Sequence, residues 1–235
     1  MLQLMKRIFL SLFLAAAVCS ARADLTIVQK VERTEGPGET IIKIKGDKVR
    51  MDVSPKFTMI FDHKTDEMIQ LMRPQKTIMR IPGEKMRALA ETMKKSGISG
   101  GSSKLTPTGK KETIEGYEAE EYTSENPTFR TSYWLAPKFP NGAAVLGELR
   151  RLKPSAWSKS DFGMPDFSDL PAVPIRTVFT MGETKVTSTI VSVKQEPIDD
   201  AVFAMPPDYK ELQIPDFGNL MQPGPKRPHV APSPE

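Results

Sequence analysis

The chain has 235 residues, among them 33 Lys and Arg, 29 Asp and Glu, two His and one Cys. This near balance of charge does not point to a nucleic-acid partner. A single cysteine excludes a disulfide within the chain, and two histidines leave little scope for zinc or nucleophile chemistry.

The first 23 residues are typical of a secretory signal peptide. Two basic residues precede an apolar run over 8–18, and the small-residue pattern Ala21–Ala23 predicts cleavage after Ala23. The run is shorter than the roughly 20 residues that a spanning helix needs, and no later segment is a transmembrane candidate. Because the residues before Cys19 do not match a bacterial lipobox, an outer-membrane lipoprotein is disfavoured. We expect a periplasmic protein whose mature part has no cysteine.

Short runs with a period of two dominate the first part of the mature chain and predict half-buried antiparallel strands. The runs lie at 25–31, 41–45, 48–53, 57–62, 67–73 and 76–81. Gly46-Asp47 predicts a tight hairpin turn between the second and third of them. The register of this turn pairs Ile44 with Val49, Ile42 with Met51, Lys45 with Lys48 and Lys43 with Arg50.

The lysine and arginine side chains that lie opposite one another in this hairpin predict that its charged face is not buried against the core. Like charges directly across a ladder are unfavourable, so we expect that face to contact water or an anion. A solvated face that discourages edge-to-edge aggregation is favoured over a contact with anionic lipid.

Two helices interrupt the strands. The period changes at Gly83, where apolar residues at i, i+3, i+4 and i+7 predict an amphipathic helix that ends at Gly97. These residues are Met86, Leu89, Ala90 and Met93. A second, shorter helix is predicted after Asn141 as its cap, with Pro154 as its end.

The remaining strands complete a single domain. They are predicted at 111–114, 117–123, 129–136, 174–181 and 184–193. Strands with two inserted helices predict a mainly β (α+β) fold over 24–212, with an antiparallel sheet and helices on one face. Residues 213–235 are rich in Pro and polar residues, which predicts a disordered tail.

Few residues suggest catalysis. His63 lies beside Asp62 in a polar turn, which favours a turn over a catalytic pair. Six glutamates lie close together, and a solvated edge strand is favoured over an acid-base pair there. They are Glu112, Glu115, Glu118, Glu120, Glu121 and Glu125. We therefore predict no enzyme, catalytic residue, metal or cofactor.

Methionine is the informative excess, because seven of the eleven methionines of the mature chain lie between Met51 and Met93. Methionine adapts to irregular apolar shapes and is over-used on promiscuous binding surfaces. The pattern is open to two interpretations, ordinary core packing and a cavity lined for a ligand. Copper(I) binding by thioethers is disfavoured, because no close Met-x-Met spacing supports it.

Several stretches of the chain resemble a family of exported bacterial proteins known as a domain of unknown function. They are KGDKVRMD, TIEGYEAEEY, YWLAP, VPIRT and DDAVFAMPPDYK, and the resemblance spans about residues 24 to 210. Its most specific pieces are Gly116-Tyr117 with Tyr122, and Phe203 with Pro206 and Tyr209. That family is similar to the LolA/LolB lipoprotein-carrier superfamily. The resemblance implies a curved antiparallel half-barrel, with helices covering its concave face, that shelters acyl chains or another hydrophobic guest.

The resemblance and the methionines together predict an apolar ligand, such as a lipid acyl chain, in the half-barrel. The candidate lining is Ile44, Met51, Met59, Phe61, Ile69, Leu71, Met79, Met86, Leu89 and Met93. The loop with Trp157, Phe162 and Phe167 is the candidate gate. No loop matches the protruding apolar tip of the lipoprotein receptor, so lipoprotein transfer is not implied. The alternative is a filled core and a surface for an envelope protein partner, as in stress sensors.

Overall fold

The computed structural model describes residues 24–95, 104–125, 129–152 and 167–212. They contain the strands β1 (Leu25–Arg33), β2 (Gly36–Lys45), β3 (Lys48–Ser54), β4 (Phe57–Asp62), β5 (Glu67–Met72), β6 (Thr77–Ile81), β7 (Thr106–Ile114), β8 (Tyr117–Glu125), β9 (Arg130–Ala136), β10 (Val173–Met181), β11 (Thr184–Gln195) and β12 (Lys210–Leu212). The helices are α1 (Gly83–Lys95) and α2 (Gly142–Leu149).

All twelve strands belong to one open sheet. Its order is β12-β6-β5-β4-β3-β2-β1-β11-β10-β9-β8-β7. Consecutive strands pair antiparallel along most of this order, while β12 runs parallel to β6 at one edge. The prediction of a mainly β protein built on an antiparallel sheet is confirmed.

The first predicted hairpin has the expected register. Ile44 lies opposite Val49, and Lys45 lies opposite Lys48. Gly46 adopts a φ of 53° in the turn, a conformation that glycine reaches without steric cost. The alternation of apolar and charged residues therefore fixes the face of each side chain here.

One face of the sheet carries most of the core, and we call it the main-core face. A row of buried cross-strand partners runs along it: Leu25, Ile44, Val49, Phe61, Met68 and Ile81. Met86 of α1 and Val145 and Leu149 of α2 belong to the same apolar cluster. Both helices therefore pack on this face.

The opposite face is covered by residues 198–209, which we call the strap. Four strand residues, Ile60, Ile69, Leu71 and Ile78, form a second apolar cluster with Ile198 and Phe203 of the strap. The predicted placement of Ile69 and Leu71 beside Met59 was wrong. Strands β4 to β6 are apolar on both faces because both faces are covered, so period two alone does not tell the faces apart.

The strap also contacts the cations that were expected to face water. Lys45 Nζ lies 2.9 Å from Asp200 Oδ1, and the Arg50 guanidinium donates to the carbonyl oxygen of Val202. Of the two expected contacts, water or an anion, Lys45 therefore has the anion, and the strap covers part of the face that was expected to be open. Arg50 pairs with Asp52 of its own strand at 2.9 Å, so the anions that balance both cations belong to the chain itself.

The helix ends differ in detail from the prediction. Asn141 stands at the N-cap position of α2, but its side chain makes no capping hydrogen bond. Its amide nitrogen instead donates to Gln195 Oε1 at 3.2 Å. The predicted helix end at Gly97 and the predicted stop at Pro154 lie outside the described residues.

Candidate ligand-binding site

A line of methionines crosses the main-core face beside the buried row. Met51 lies opposite Met59, Met59 opposite Gln70, and Gln70 opposite Met79. Met51, Met59 and Met79 are each half-buried and pack against the main core on one side. We call these three residues the methionine row.

The methionine row is only half-buried, whereas the row of cross-strand partners on its core side is buried. Met86 of α1 is 1% exposed and lies in the same cluster as Phe61 and Met68. On the other side of the methionine row, Phe57 and Met72 are cross-strand partners and are also half-buried. A strip of accessible apolar side chains thus borders the filled part of the core.

The structure divides the ten predicted lining residues into four groups. Met51, Met59 and Met79 form the methionine row, and Ile44, Phe61 and Met86 are buried in the main core. Ile69 and Leu71 lie under the strap on the opposite face. The side chains of Leu89 and Met93 lie outside the described residues.

The predicted gate is described only in part. Trp157 and Phe162 lie outside the described residues. Phe167 begins a short 3-10 turn, is half-buried and packs against the main core.

A pocket opens where β10 separates from β11, and we call it the split pocket. The two strands pair only as far as Arg176 and Thr189, while residues 173–175 pair with β9 alone or form a bulge. Pro174 has no N–H to donate, and a bulge at Ile175 interrupts the β10–β9 register at the point where the β10–β11 pairing ends. The resulting cavity has a volume of about 530 Å³.

The split pocket has a mixed lining of apolar and polar residues. Its lining residues are Glu115, Tyr117, Phe139, Pro140, Asn141, Val145, Ile175, Ile190, Val191, Ser192, Val193 and Gln195. The rings of Tyr117 and Phe139 pack with centroids 4.9 Å apart. None of these residues was predicted to line a ligand site, because the pocket joins parts of the chain that are far apart in sequence. Pro174 within an otherwise regular strand was the available signal.

Glu121, the buried member of the glutamate cluster, lacks the environment of a general acid. Glu121 is buried, and its carboxylate lies 3.0 Å from the Thr108 hydroxyl and 3.4 Å from Lys110 Nζ. Burial raises the pKa of Glu121, but hydrogen bonds from Thr108, Ser132 and Lys110 outweigh it and hold the pKa below the ordinary value. This arrangement stabilises an ionised carboxylate, whereas a proton donor needs a raised pKa.

His63 has a structural contact. Its Nε2 donates to the carbonyl oxygen of Arg151, just after α2. Arg151 also pairs with Asp47 at 3.0 Å and with Glu148 at 3.4 Å. These contacts tie the end of α2 to two turns of the sheet.

Neither a metal-binding cluster nor a membrane-spanning helix is found in the described part of the chain. Within it, no group of three or more His, Cys, Asp or Glu side chains is arranged to hold a metal ion. No helix within the same ranges is long and apolar enough to cross a membrane.

The sequence matches the family model of DUF4412, a domain of unknown function, over residues 24–209, and the chain belongs to that family. The prediction of a domain-of-unknown-function family is confirmed. Among curated proteins, none matches the sequence significantly.

Solved structures with a similar fold are distant. PNGF-II is 13% identical with a TM-score of 0.42, and the match covers 84% of this chain but only 33% of that protein. A DUF1329 family protein from Desulfovibrio piger is 10% identical with a TM-score of 0.31, covering 80% and 91% of the two chains. LprF from Mycobacterium bovis is 11% identical with a TM-score of 0.32, covering 81% and 92%. At scores this low, the likenesses carry no conclusion about function.

Proposed function

We propose that this is an exported, non-enzymatic protein that binds the apolar part of a lipid or a similar ligand along the methionine row. In this proposal residues 1–23 are the export signal and residues 24–212 form the binding domain; residues 1–23 and 213–235 lie outside the described part of the chain. The main-core face is the concave side of a curved sheet. The observation that carries the proposal is the half-burial of Met51, Met59 and Met79 directly beside a buried row.

The chemistry of the methionine row suits an apolar guest of variable shape. Methionine side chains are unbranched and polarizable, so they adapt to an acyl chain without a fixed pocket. Removing an acyl chain from water contributes about 0.8 kcal/mol per methylene group, so no catalytic or charged residue is needed for useful affinity. The buried residues Ile44, Phe61 and Met86 then support the methionine row from the core side. Leu89 and Met93 of α1 are proposed to complete the lining.

The proposal is tested by native mass spectrometry of protein produced from the full-length sequence and recovered from the periplasm. We expect a lipid adduct that a Met59→Glu, Met79→Glu double variant loses while keeping its circular dichroism spectrum. Met181→Glu is the matched control, because Met181 is exposed in the hairpin between β10 and β11.

A milder double variant, Met59→Gln with Met79→Gln, guards against misfolding of the glutamate variant, since it keeps the length of both side chains. It should weaken binding of an added long-chain fatty acid, measured by isothermal titration calorimetry. Repeated recovery of ligand-free wild type that also fails to bind the fatty acid contradicts the proposal. A lipid adduct that persists unchanged in both double variants, when both are folded, also contradicts the proposal.

A further inference from the structure

We propose that the split pocket is a docking site for an extended peptide segment of a partner protein, which adds as a strand to the open edge of β11. This site is separate from the methionine row, and its occupant belongs to a different chemical class.

The first support is the open edge itself. Residues 190–195 of β11 pair with β1 along one side. On the other side, no strand among the described residues pairs with β11 beyond Thr189. Unpaired N–H and C=O groups along a strand form a ready template for another strand. An extended peptide fits this edge because its main chain supplies the missing donors and acceptors.

The second support is an exposed apolar side chain at the same edge. Ser192 and Ile190 face consecutive residues of β1, which leaves Val191 as the extra residue of a bulge. Val191 lines the split pocket and is 43% exposed, an unusual position for a large apolar residue. The Tyr117 and Phe139 rings also line the pocket. A strand added here would direct every second side chain toward this apolar lining.

The third support is charge. Of the twelve residues that line the split pocket, only Glu115 is charged. Glu115 adopts a φ of 49° in the turn before Tyr117 and is exposed. Its carboxylate makes no hydrogen bond or ion pair with any other described residue. The partner segment that fits best therefore alternates apolar side chains and carries a lysine or arginine within reach of Glu115.

The test uses protein produced from the full-length sequence and a set of capped octapeptides that alternate valine and threonine, with one lysine at either end. A matched set carries N-methyl groups on alternate backbone nitrogens, which removes the donors that a new ladder needs. Binding is measured by calorimetry and by amide hydrogen exchange of residues 190–195. Glu115→Gln tests the charge, and Glu125→Gln is its control, because Glu125 pairs with Arg130 outside the pocket.

We expect a peptide of the first set to bind and to slow exchange at the β11 edge by about tenfold or more. The N-methylated peptides should not bind, and Glu115→Gln should weaken binding severalfold while Glu125→Gln leaves it unchanged. The Met59→Glu, Met79→Glu variant should still bind peptide, which separates this inference from the proposed lipid site.

Three results would overturn the inference. The first is strong protection of the 190–195 edge amides in the free protein, because the chain would then already occupy its own edge. The second is no binding by any peptide at about 1 mM, which is weaker than a specific docking site needs. The third is displacement of the peptide by a fatty acid, which would assign the pocket to the lipid ligand.

Discussion

Lys45 Nζ lies 2.9 Å from Asp200 Oδ1, and this contact ties the end of β2 to the strap across the face opposite the main core. The Asp200 side chain is 89% exposed. Ion pairs this exposed contribute little to stability. Burial of Ile198 and Phe203 against β4 to β6 must therefore hold most of the strap.

Phe203→Ala should lower the free energy of unfolding by about 3 kcal/mol, because it removes a buried ring from the second apolar cluster. Asp200→Asn should cause a much smaller loss. Urea denaturation followed by circular dichroism compares the two variants. Equal losses would contradict the conclusion that apolar burial holds most of the strap.

Asp52 should make stability depend on pH in the acid range. Its Oδ1 lies 2.9 Å from Arg50, 2.7 Å from Arg73 and 2.7 Å from the Thr58 hydroxyl. Burial raises the pKa of Asp52, but the hydrogen bonds from Arg50 and Thr58 and the charges of Arg50 and Arg73 lower it below the ordinary value. A depressed pKa in the folded state stabilises the fold at neutral pH, and this contribution is lost as the pH falls below about 4.

The Asp52→Asn variant should be about 2 kcal/mol less stable at neutral pH, as expected for hydrogen bonds to a charged group. The difference from wild type should shrink as the pH falls toward 3. Denaturation midpoints across a pH series give the measurement. A constant difference at all pH values would mean that the charge of Asp52 is not responsible.

Two glycines that begin helices should respond oppositely to alanine. A Cβ at Gly83 would lie 2.5 Å from Asp66 Cβ and 3.0 Å from its carbonyl oxygen, so α1 would have to move. At Gly142 a Cβ would meet Val173 Cγ2 at 3.6 Å, an ordinary contact. Gly83→Ala should therefore cost on the order of 1–3 kcal/mol, and Gly142→Ala should be neutral or stabilising by up to about 1 kcal/mol. Thermal melts of the two variants check this, and similar melting temperatures would contradict it.

Thr108→Val should raise the pKa of Glu121. The variant removes the hydroxyl that lies 3.0 Å from the carboxylate while keeping the size of the side chain. Burial still disfavours the charged form of Glu121, and in the variant fewer hydrogen bonds stabilise that charged form. A carboxyl-detected NMR titration of both proteins gives the shift, and an unchanged or lower pKa in the variant would refute the assignment.

Local patterns predicted the strands and the first hairpin well, because the register of Ile44 with Val49 depends on a turn and on alternation within a few residues. The faces of Ile69 and Leu71 were not predictable in the same way, since EMIQLM is apolar on both sides. An apolar run on both faces indicates a strand covered twice, and that signal was present in β4 to β6.

The candidate site was predictable only where it is local. Met51, Met59 and Met79 align because three neighbouring hairpins keep a regular register, so the sequence places them on one face. The split pocket depends instead on the end of the β10–β11 ladder near Pro174 and on Phe139 packing against Tyr117. Such contacts join distant segments, and no local period specifies them.

The most direct test of the proposed function is NMR of protein labelled at the methionine methyl groups and titrated with a long-chain fatty acid. If the proposed function is right, the signals of Met51, Met59 and Met79 should shift together and saturably. The signals of Met181 in the β10–β11 turn and of Met205 in the strap should stay in place. Shifts confined to Met181 or Met205, or no saturable shift of the methionine row, would contradict the account.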